Sequence, residues 1–550
     1  MTFRLAVVLA LITFGIYGAA LQTDFVAGDR QFILNNALAA DVPTALQSFV
    51  KDYWGTLGGE SFVYYRPLTV LTHCLDTNLW GRNPIGHHLT NVALHTLVTL
   101  LVFVFLLQLL PGRPLLCCGA AMLFGLHPIH THSVIYVVGR TDVLATLFFL
   151  TSMLMLCRRK NTAFQHAAGA VCYLAALLCK EIAVTLPLLY GMYCLAVPAE
   201  KRPSLPQVRR ATAFLSLALL IYLAARIQAI GLGGPPGADF AYAAWQRSLL
   251  VFMTVGFYCV KLLLPLNLCY YSNLVIPYPG MGTLDILLTV TGIVCTAIML
   301  IFWRRGFAGM MLAWIGITLL PVLNIVTLPV LAKENYLYLP SVGFCLLAAL
   351  LFSKIKHLVS PRIAALLFSF VLLLYGMEVF LRTVDYRDPA AYLLSAVRVM
   401  RPLTPDKIEN KHYFEGAKNW YTTCRNLGYL FVEKKDPANA EYWFLRAIDH
   451  TAAYFNPRYA AECRLALGEL YLKQGRIPDA QSQLTAALTG TNKPHEVYNL
   501  LGVGAAMHND PDAAEGFFLK ALEIAPGSAS ARANLARLRQ QRAQLTREPH

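Results

Sequence analysis

The ionisable residues that border long apolar runs are the part of this sequence equipped for chemistry. Asp24 and Asp29 lie in Thr23-Asp-Phe-Val-Ala-Gly-Asp-Arg-Gln-Phe-Ile-Leu-Asn-Asn36, and Asp76 in His73-Cys-Leu-Asp-Thr-Asn-Leu-Trp-Gly-Arg-Asn-Pro84. His127-Pro-Ile-His-Thr-His132, Gly139-Arg-Thr-Asp142, Lys180-Glu181, Arg226, Lys261 and Lys333-Glu-Asn-Tyr-Leu-Tyr338 complete the set, which includes Arg140, Glu334 and Tyr336. Charged groups near membrane depth are costly and tend to mark function. Arginine and lysine can hold a phosphate that leaves as an anion, and a carboxylate can deprotonate an attacking hydroxyl. Together they suit inverting sugar transfer from a polyprenyl-phosphate donor. Simpler roles stand beside this one. Asp76 could cap a helix, Lys180-Glu181 could be a local ion pair at a helical hairpin, and His127, His130 and His132 could cap or hydrogen-bond on a turn. A divalent metal is not indicated by that spacing.

The elements that would position these residues are membrane helices. The chain has 550 residues, 57% hydrophobic and 14% charged, with a mean hydropathy of +0.50, against roughly 25% charged in ordinary soluble domains. The net charge, 46 − 31 = +15, arises largely from short basic clusters between apolar runs, as the positive-inside rule expects. No basic stripe interleaved with aromatics points to nucleic acid. The thirteen cysteines include no CxxC pair, and most sit in apolar runs, where they act as small hydrophobes.

Eleven spans are expected, at 4–20, 87–110, 114–133, 141–157, 163–179, 181–197, 210–230, 284–303, 306–325, 336–353 and 361–382. The first could instead be a cleaved signal peptide. Basic loops at Arg4, Arg113, Arg158-Arg159-Lys160, Lys201-Arg202, Arg209-Arg210, Arg304-Arg305 and Lys354/Lys356 should lie on the cytoplasmic side. Counting from either end then puts both flanks of a further apolar run, 247–269, outside, so that run should be re-entrant or interfacial. This topology puts the N-terminus inside, the tail outside, and every residue named above on the outer side. Residues 21–86 form a long first outer loop and 231–283 a second, and long ordered loops are where function tends to reside.

Within residues 1–383, therefore, we expect the membrane domain, with a linker at 384–420. Beyond it, a repeat begins. Leu427-Gly428, Phe431, Ala440, Phe444 and Ala447 are matched by Leu467-Gly468, Tyr471, Ala480, Leu484 and Ala487, and by Leu501-Gly502, Ala505, Ala514, Phe518 and Ala521. This is the tetratricopeptide pattern, in three copies at about 421–454, 461–494 and 495–528, followed by a capping helix before residue 550. Such an array presents a groove for a protein or peptide; its simpler role is a spacer. The expected fold is all-α: a polytopic helix bundle followed by an α-solenoid.

The stretches Phe25–Asn36, Arg66-Pro67 to Asn91, Leu126–Asp142, Leu177–Pro187, Lys261–Leu268 and Asn324–Gly343, followed by the repeats, together resemble one family. It is the transmembrane and tetratricopeptide-repeat O-mannosyltransferases and their prokaryotic relatives, within the GT-C glycosyltransferases. The resemblance implies an outward-facing GT-C-like fold, a lipid-phosphate sugar donor and a protein or peptide hydroxyl acceptor. With the reading of the residues above, Asp29 or Asp24 is the candidate catalytic base, and Arg140, Asp142, Arg226, Lys261, Lys333 and Tyr336 are the candidates around the donor. Asp76, His127, His130, Lys180, Glu181 and Glu334 would support them. Three positions depart from the family pattern. Gly28 stands where an acid usually precedes Asp29, His132 stands where HPxHxE has its acid, and Asn335 replaces an arginine before Tyr336.

The function expected is a membrane glycosyltransferase whose partners are a membrane lipid carrier and a protein acceptor recruited by the repeats. The alternative is a non-catalytic scaffold that uses the repeats in envelope assembly. A transporter is disfavoured because no related halves appear. A bacterial plasma membrane with a periplasmic tail is the expected location, and the endoplasmic reticulum with a lumenal tail is the alternative.

Overall fold

A computed structural model of the chain describes residues 1–53, 64–158, 161–198, 202–231, 243–269, 282–303, 306–325, 328, 331–355, 359–400, 414–452 and 457–545. The basic residues Arg159, Lys160, Lys201, Arg304, Arg305 and Lys356, which enter the orientation argument, lie outside the described residues. Two compact units divide near residue 395.

The first unit is helical wherever an apolar run predicts a span. Among the described residues, seven helices are long and apolar enough to cross a membrane: Thr2–Gln22, Pro84–Leu109, Val137–Leu156, Leu205–Ile230, Ala244–Leu263, Thr283–Phe302 and Pro361–Asp385. An eighth is broken, with Pro114–Leu126 and Pro128–Ile135 meeting at 47°. Pro128 lacks the N–H that would continue the helix. Ala163–Cys179, Glu181–Ala196, Gly306–Val322 and Ser341–Lys354 are shorter apolar helices. Several starts are fixed locally. Asn83 accepts from the Ile85 amide at 3.1 Å with Pro84 following, and Thr162 and Gln165 form a reciprocal capping box.

The run expected to be re-entrant or interfacial differs in shape. Ala244–Leu263 is one unbroken helix of 20 residues, and its apolar side packs against a neighbour of equal length, Thr283–Phe302. A Cβ on Gly256 would fall 1.9 Å from the Leu288 carbonyl oxygen, and one on Gly292 1.8 Å from that of Phe252. The thiols of Cys259 and Cys295 are also within hydrogen-bonding reach. Each added Cβ would also lie 3.0 Å from the other glycine's amide nitrogen, and the Gly256–Gly292 and Cys259–Cys295 pairings share one offset (292 − 256 = 295 − 259 = 36), so the two helices run parallel. Glycine is required at this crossing because backbone meets backbone, as in small-residue membrane helix pairs.

The second unit is the repeat solenoid. Helices Phe414–Glu433 and Pro437–Ala452, Pro457–Lys473 and Ile477–Ala487, and Pro494–Met507 and Pro511–Ile524 form three antiparallel pairs, with Ala529–Leu545 after them. Gly428 abuts Phe444, Gly468 abuts Leu484 and Gly502 abuts Phe518, and a Cβ at each glycine would come within 2.5–2.6 Å of the partner ring or side chain. Each intervening turn has one residue of positive φ, at Lys435, Gly475 and Asn509. Within the expected linker 384–420, the described residues include the helix Pro389–Val399 and the start of the first repeat helix at 414, and 401–413 lie outside the described residues.

Candidate active site

Arg140, the first residue of helix Arg140–Leu156, is fully buried. Its Nε donates to Asn91 Oδ1 at 2.6 Å, and its terminal nitrogens to the carbonyls of Thr72 at 3.2 Å and His87 at 3.3 Å and to the Asp76 carboxylate. Thr90 donates to the other Asp76 oxygen at 2.9 Å. Asn91 in turn donates to the carbonyls of Val134, Tyr136 and Val137. Two expectations are corrected here. Arg140 presents no surface to a donor phosphate, because a buried guanidinium must be neutralised and Asp76 does so. Asp76 is no N-terminal cap, for it lies in the last turns of helix Pro67–Trp80.

Asp29 is also fully buried. Its Oδ1 accepts from the Val138 amide at 2.8 Å and its Oδ2 from the Val26 amide at 3.4 Å. The Val26–Asp29 turn is closed by the Asp29 amide on the Val26 carbonyl at 2.8 Å, and Ala27 takes a φ of +43° within it. Burial pushes the Asp29 carboxyl up to about 8, against the pull of these amides and of Arg140. Asp24 is exposed. It accepts from the Phe25 amide at 2.7 Å, and its own amide donates to the Arg387 carbonyl at 3.0 Å.

A second knot joins Asp142, Lys180, Asn335 and Tyr336. Lys180 donates to Asp142 Oδ1, Asn335 donates to Oδ2 at 2.8 Å, and the Lys180 ammonium lies 5.0 Å from the centre of the Tyr336 ring. Burial pulls the Lys180 ammonium below its usual range. Asn335 thus completes the coordination of Asp142 at the position where the family resemblance would put an arginine.

Glu181, next along the chain, leaves this knot and pairs with Arg66. The contact is bidentate, with Nε to Oε1 at 3.2 Å and the terminal nitrogen to Oε2 at 2.8 Å. The Arg66 guanidinium lies 4.4 Å from the Tyr64 ring centre. Here the side chains reach the surface, 13% exposed for Arg66 and 36% for Glu181. Arg226 is partly buried near the end of helix Leu205–Ile230. It acts electrostatically on Tyr222, as do Arg66 and Glu181, and has no ion-pair or hydrogen-bond partner among the described residues.

A third knot holds Lys261 and Glu334 at 3.5 Å. Lys261 donates to the carbonyls of Leu266 at 2.7 Å and Asn267 at 2.8 Å, and Glu334 accepts from the Cys269 amide at 2.9 Å. Burial raises the Glu334 carboxyl. Lys333 is partly buried and acts on His132 together with Arg382 and Lys180. His127 Nδ1 accepts from the Ile129 amide at 3.3 Å, so its Nε2 donates to the Leu262 carbonyl at 3.1 Å. His130 pairs with Ser341 at 2.9 Å and His132 with Tyr386 at 3.0 Å. Among the described residues no three His, Cys, Asp or Glu side chains are grouped to hold a metal.

The structure therefore brings together Arg140 with Asp76, Asp142 with Lys180 and Tyr336, and Lys261 with Glu334. Glu181 pairs instead with Arg66, and both Arg226 and Asp24 stand apart from these knots. Sequence reasoning missed Arg66 and Arg382 as site residues. Arg66 stands before the helix-starting Pro67, and Arg382 is a buried cation late in the apolar helix Pro361–Asp385, paired with Asp385 at 3.0 Å. An arginine in such a run is itself a signal.

The tetratricopeptide repeat family model matches residues 465–529. The chain is 27% identical to protein O-mannosyl-transferase F38B6.6 of Caenorhabditis elegans, over 62% of this chain and 50% of that protein. It is also 27% identical to the human protein O-mannosyl-transferase TMTC3, over 86% of this chain and 53% of the relative. The human TMTC1 is 40% identical over a shorter stretch, 25% of this chain and 16% of its own. The chain spans about half the length of the curated relatives it matches. Among solved structures, ArnT from Cupriavidus metallidurans bound to undecaprenyl phosphate aligns with 94% of this chain and 79% of that one, at 14% identity and a TM-score of 0.37. That score is too low to carry an inference.

Proposed function

We propose that this chain, a multi-pass membrane homologue of the transmembrane and tetratricopeptide-repeat O-mannosyltransferases, transfers a sugar from a polyprenyl-phosphate donor to hydroxyl groups of extracytoplasmic proteins. The observation that carries this reading is the Arg66, Glu181, Lys180 and Arg226 neighbourhood. It combines a surface-reaching arginine, a surface-reaching carboxylate and a cation without a partner among the described residues. Arg66 and Arg226 would take the phosphate, whose negative charge grows as the glycosidic bond breaks. The relatives are named O-mannosyl-transferases, so mannose is the first sugar to try. The eleven-span topology, with this neighbourhood on the outer side, completes the reading.

Asp29 supports this arrangement from behind by holding the Val138 amide and the turn at 26–29. Arg140, Asp76 and Asn91 lock the helices around it. The repeats would recruit the acceptor through a cleft of about 370 Å³ lined by Tyr429, Arg458, Glu462, Glu469, Lys493 and Glu496.

The test is transfer of radiolabelled mannose from polyprenyl-phosphate-mannose to membrane proteins, with matched expression of wild type, Arg226→Ala and Glu469→Lys/Glu496→Lys. Transfer is expected in wild type, with weakened donor use in Arg226→Ala and acceptor loss alone in the repeat variant. Absence of transfer above an empty-vector control, with the protein folded and abundant, would leave the scaffold reading in its place.

A further inference from the structure

The carboxylates of the site differ in what is left for a substrate. Asp29 has an amide on each oxygen, and Asp76 has Arg140 and Thr90. Asp142 has Lys180 and Asn335, while Glu334 has Lys261 and the Cys269 amide. These four residues are at most 5% exposed. Glu181 differs. Its side chain is 36% exposed, and its side-chain partner among the described residues is Arg66 alone.

A guanidinium fork fits a phosphate as well as it fits a carboxylate. Resting on the proposed transferase function, we infer that the Arg66–Glu181 pair is exchanged on donor binding and that Glu181 is the general base. Arg66 passes from the carboxylate to the donor phosphate. Glu181, relieved of its countercharge, becomes the stronger base and accepts the acceptor O–H proton. The acceptor oxygen forms its bond to the anomeric carbon while the bond from that carbon to the phosphate oxygen breaks. The electron pair leaves with the phosphate, which Arg66 and Arg226 neutralise. The proton ends on Glu181 and passes to solvent, which its exposure permits. Lys180, the adjacent residue, remains tied to Asp142 throughout and keeps the backbone at 180–181 fixed.

The experiment uses the full chain in detergent, with two readouts: mannose transfer and direct binding of farnesyl phosphate. Glu181→Gln should lower transfer about 10²-fold or more, the usual worth of a positioned base. It should bind farnesyl phosphate at least as tightly as wild type, because Arg66 no longer has an anionic competitor. Glu181→Asp should retain a measurable part of the transfer, and Arg66→Ala should weaken farnesyl phosphate binding. Two results overturn the inference: transfer in Glu181→Gln within threefold of wild type, or farnesyl phosphate binding weakened in Glu181→Gln, as expected if the pair only holds the fold. Transfer absent from wild type removes the transferase reading itself, and the base assignment with it. Transfer present and insensitive to Glu181 removes only the assignment.

Discussion

Arg140 donates to Asn91 at 2.6 Å across 49 residues of sequence, and Asn91 then fastens the carbonyls of Val134, Tyr136 and Val137. The guanidinium is thus the centre of a clamp joining the first loop, the helix Pro84–Leu109 and the segment ahead of its own helix. Breaking one member of such a buried pair leaves an uncompensated charge. Arg140→Ala should destabilise the membrane unit by about 3–5 kcal/mol, read as lost thermal stability in detergent. Arg140→Met with Asp76→Leu should recover much of it, since both charges are then removed.

Asp29 sets a pH dependence. Its folded carboxyl titrates at about 8, above the ordinary value of 3.8, so the folded state holds the proton more tightly than the unfolded chain. Its contribution to stability is complete below the unfolded value and is lost as pH rises through about 8. Wild type should lose stability progressively from about pH 4 to about pH 8 and level off above it, and Asp29→Asn should lack that component. Unfolding midpoints measured across this range check it, and identical profiles would contradict it.

Ala27 occupies the left-handed region at φ +43°, where a Cβ costs roughly 1–2 kcal/mol. Gly28 beside it does not relieve that strain. Ala27→Gly should raise stability by up to about 1 kcal/mol, after the greater flexibility of glycine in the unfolded chain is counted. A shift of the thermal midpoint upward is the expected reading.

The parallel pair Ala244–Leu263 and Thr283–Phe302 depends on Gly256 and Gly292. Mild oxidation with copper phenanthroline should join Cys259 to Cys295 in wild type, seen by mass spectrometry as a linked peptide. Gly256→Val places side-chain carbon where the Leu288 carbonyl oxygen lies 1.9 Å from the added Cβ. It should abolish the link and cost about 2 kcal/mol or more. A link formed equally in both proteins would mean that the helices do not cross at this glycine.

Much of the architecture was legible in the chain itself. The apolar runs became helices because a long run of apolar side chains can bury its backbone only by hydrogen-bonding within itself. The repeat glycines fell against Phe444, Leu484 and Phe518 because spacing along two paired helices fixes which residues meet. The shape of 244–263 was not legible, since charge counting reports where the ends of a run lie and not whether the helix between them is whole. Nor did the sequence distinguish Asp29 from Glu181, both acids near membrane depth.

Residue type and periodicity suffice to establish a helical membrane protein with a tetratricopeptide tail, and to identify the ionisable residues that border its apolar runs. These are properties of single segments. Which charges cancel one another is settled by tertiary packing. Arg140 finds Asp76, Lys180 finds Asp142, and Glu181 is left facing outward with Arg66. Neutralisation of a buried charge depends on a partner brought from a distant segment, and on how much water remains beside it. Neither quantity is written in the local sequence.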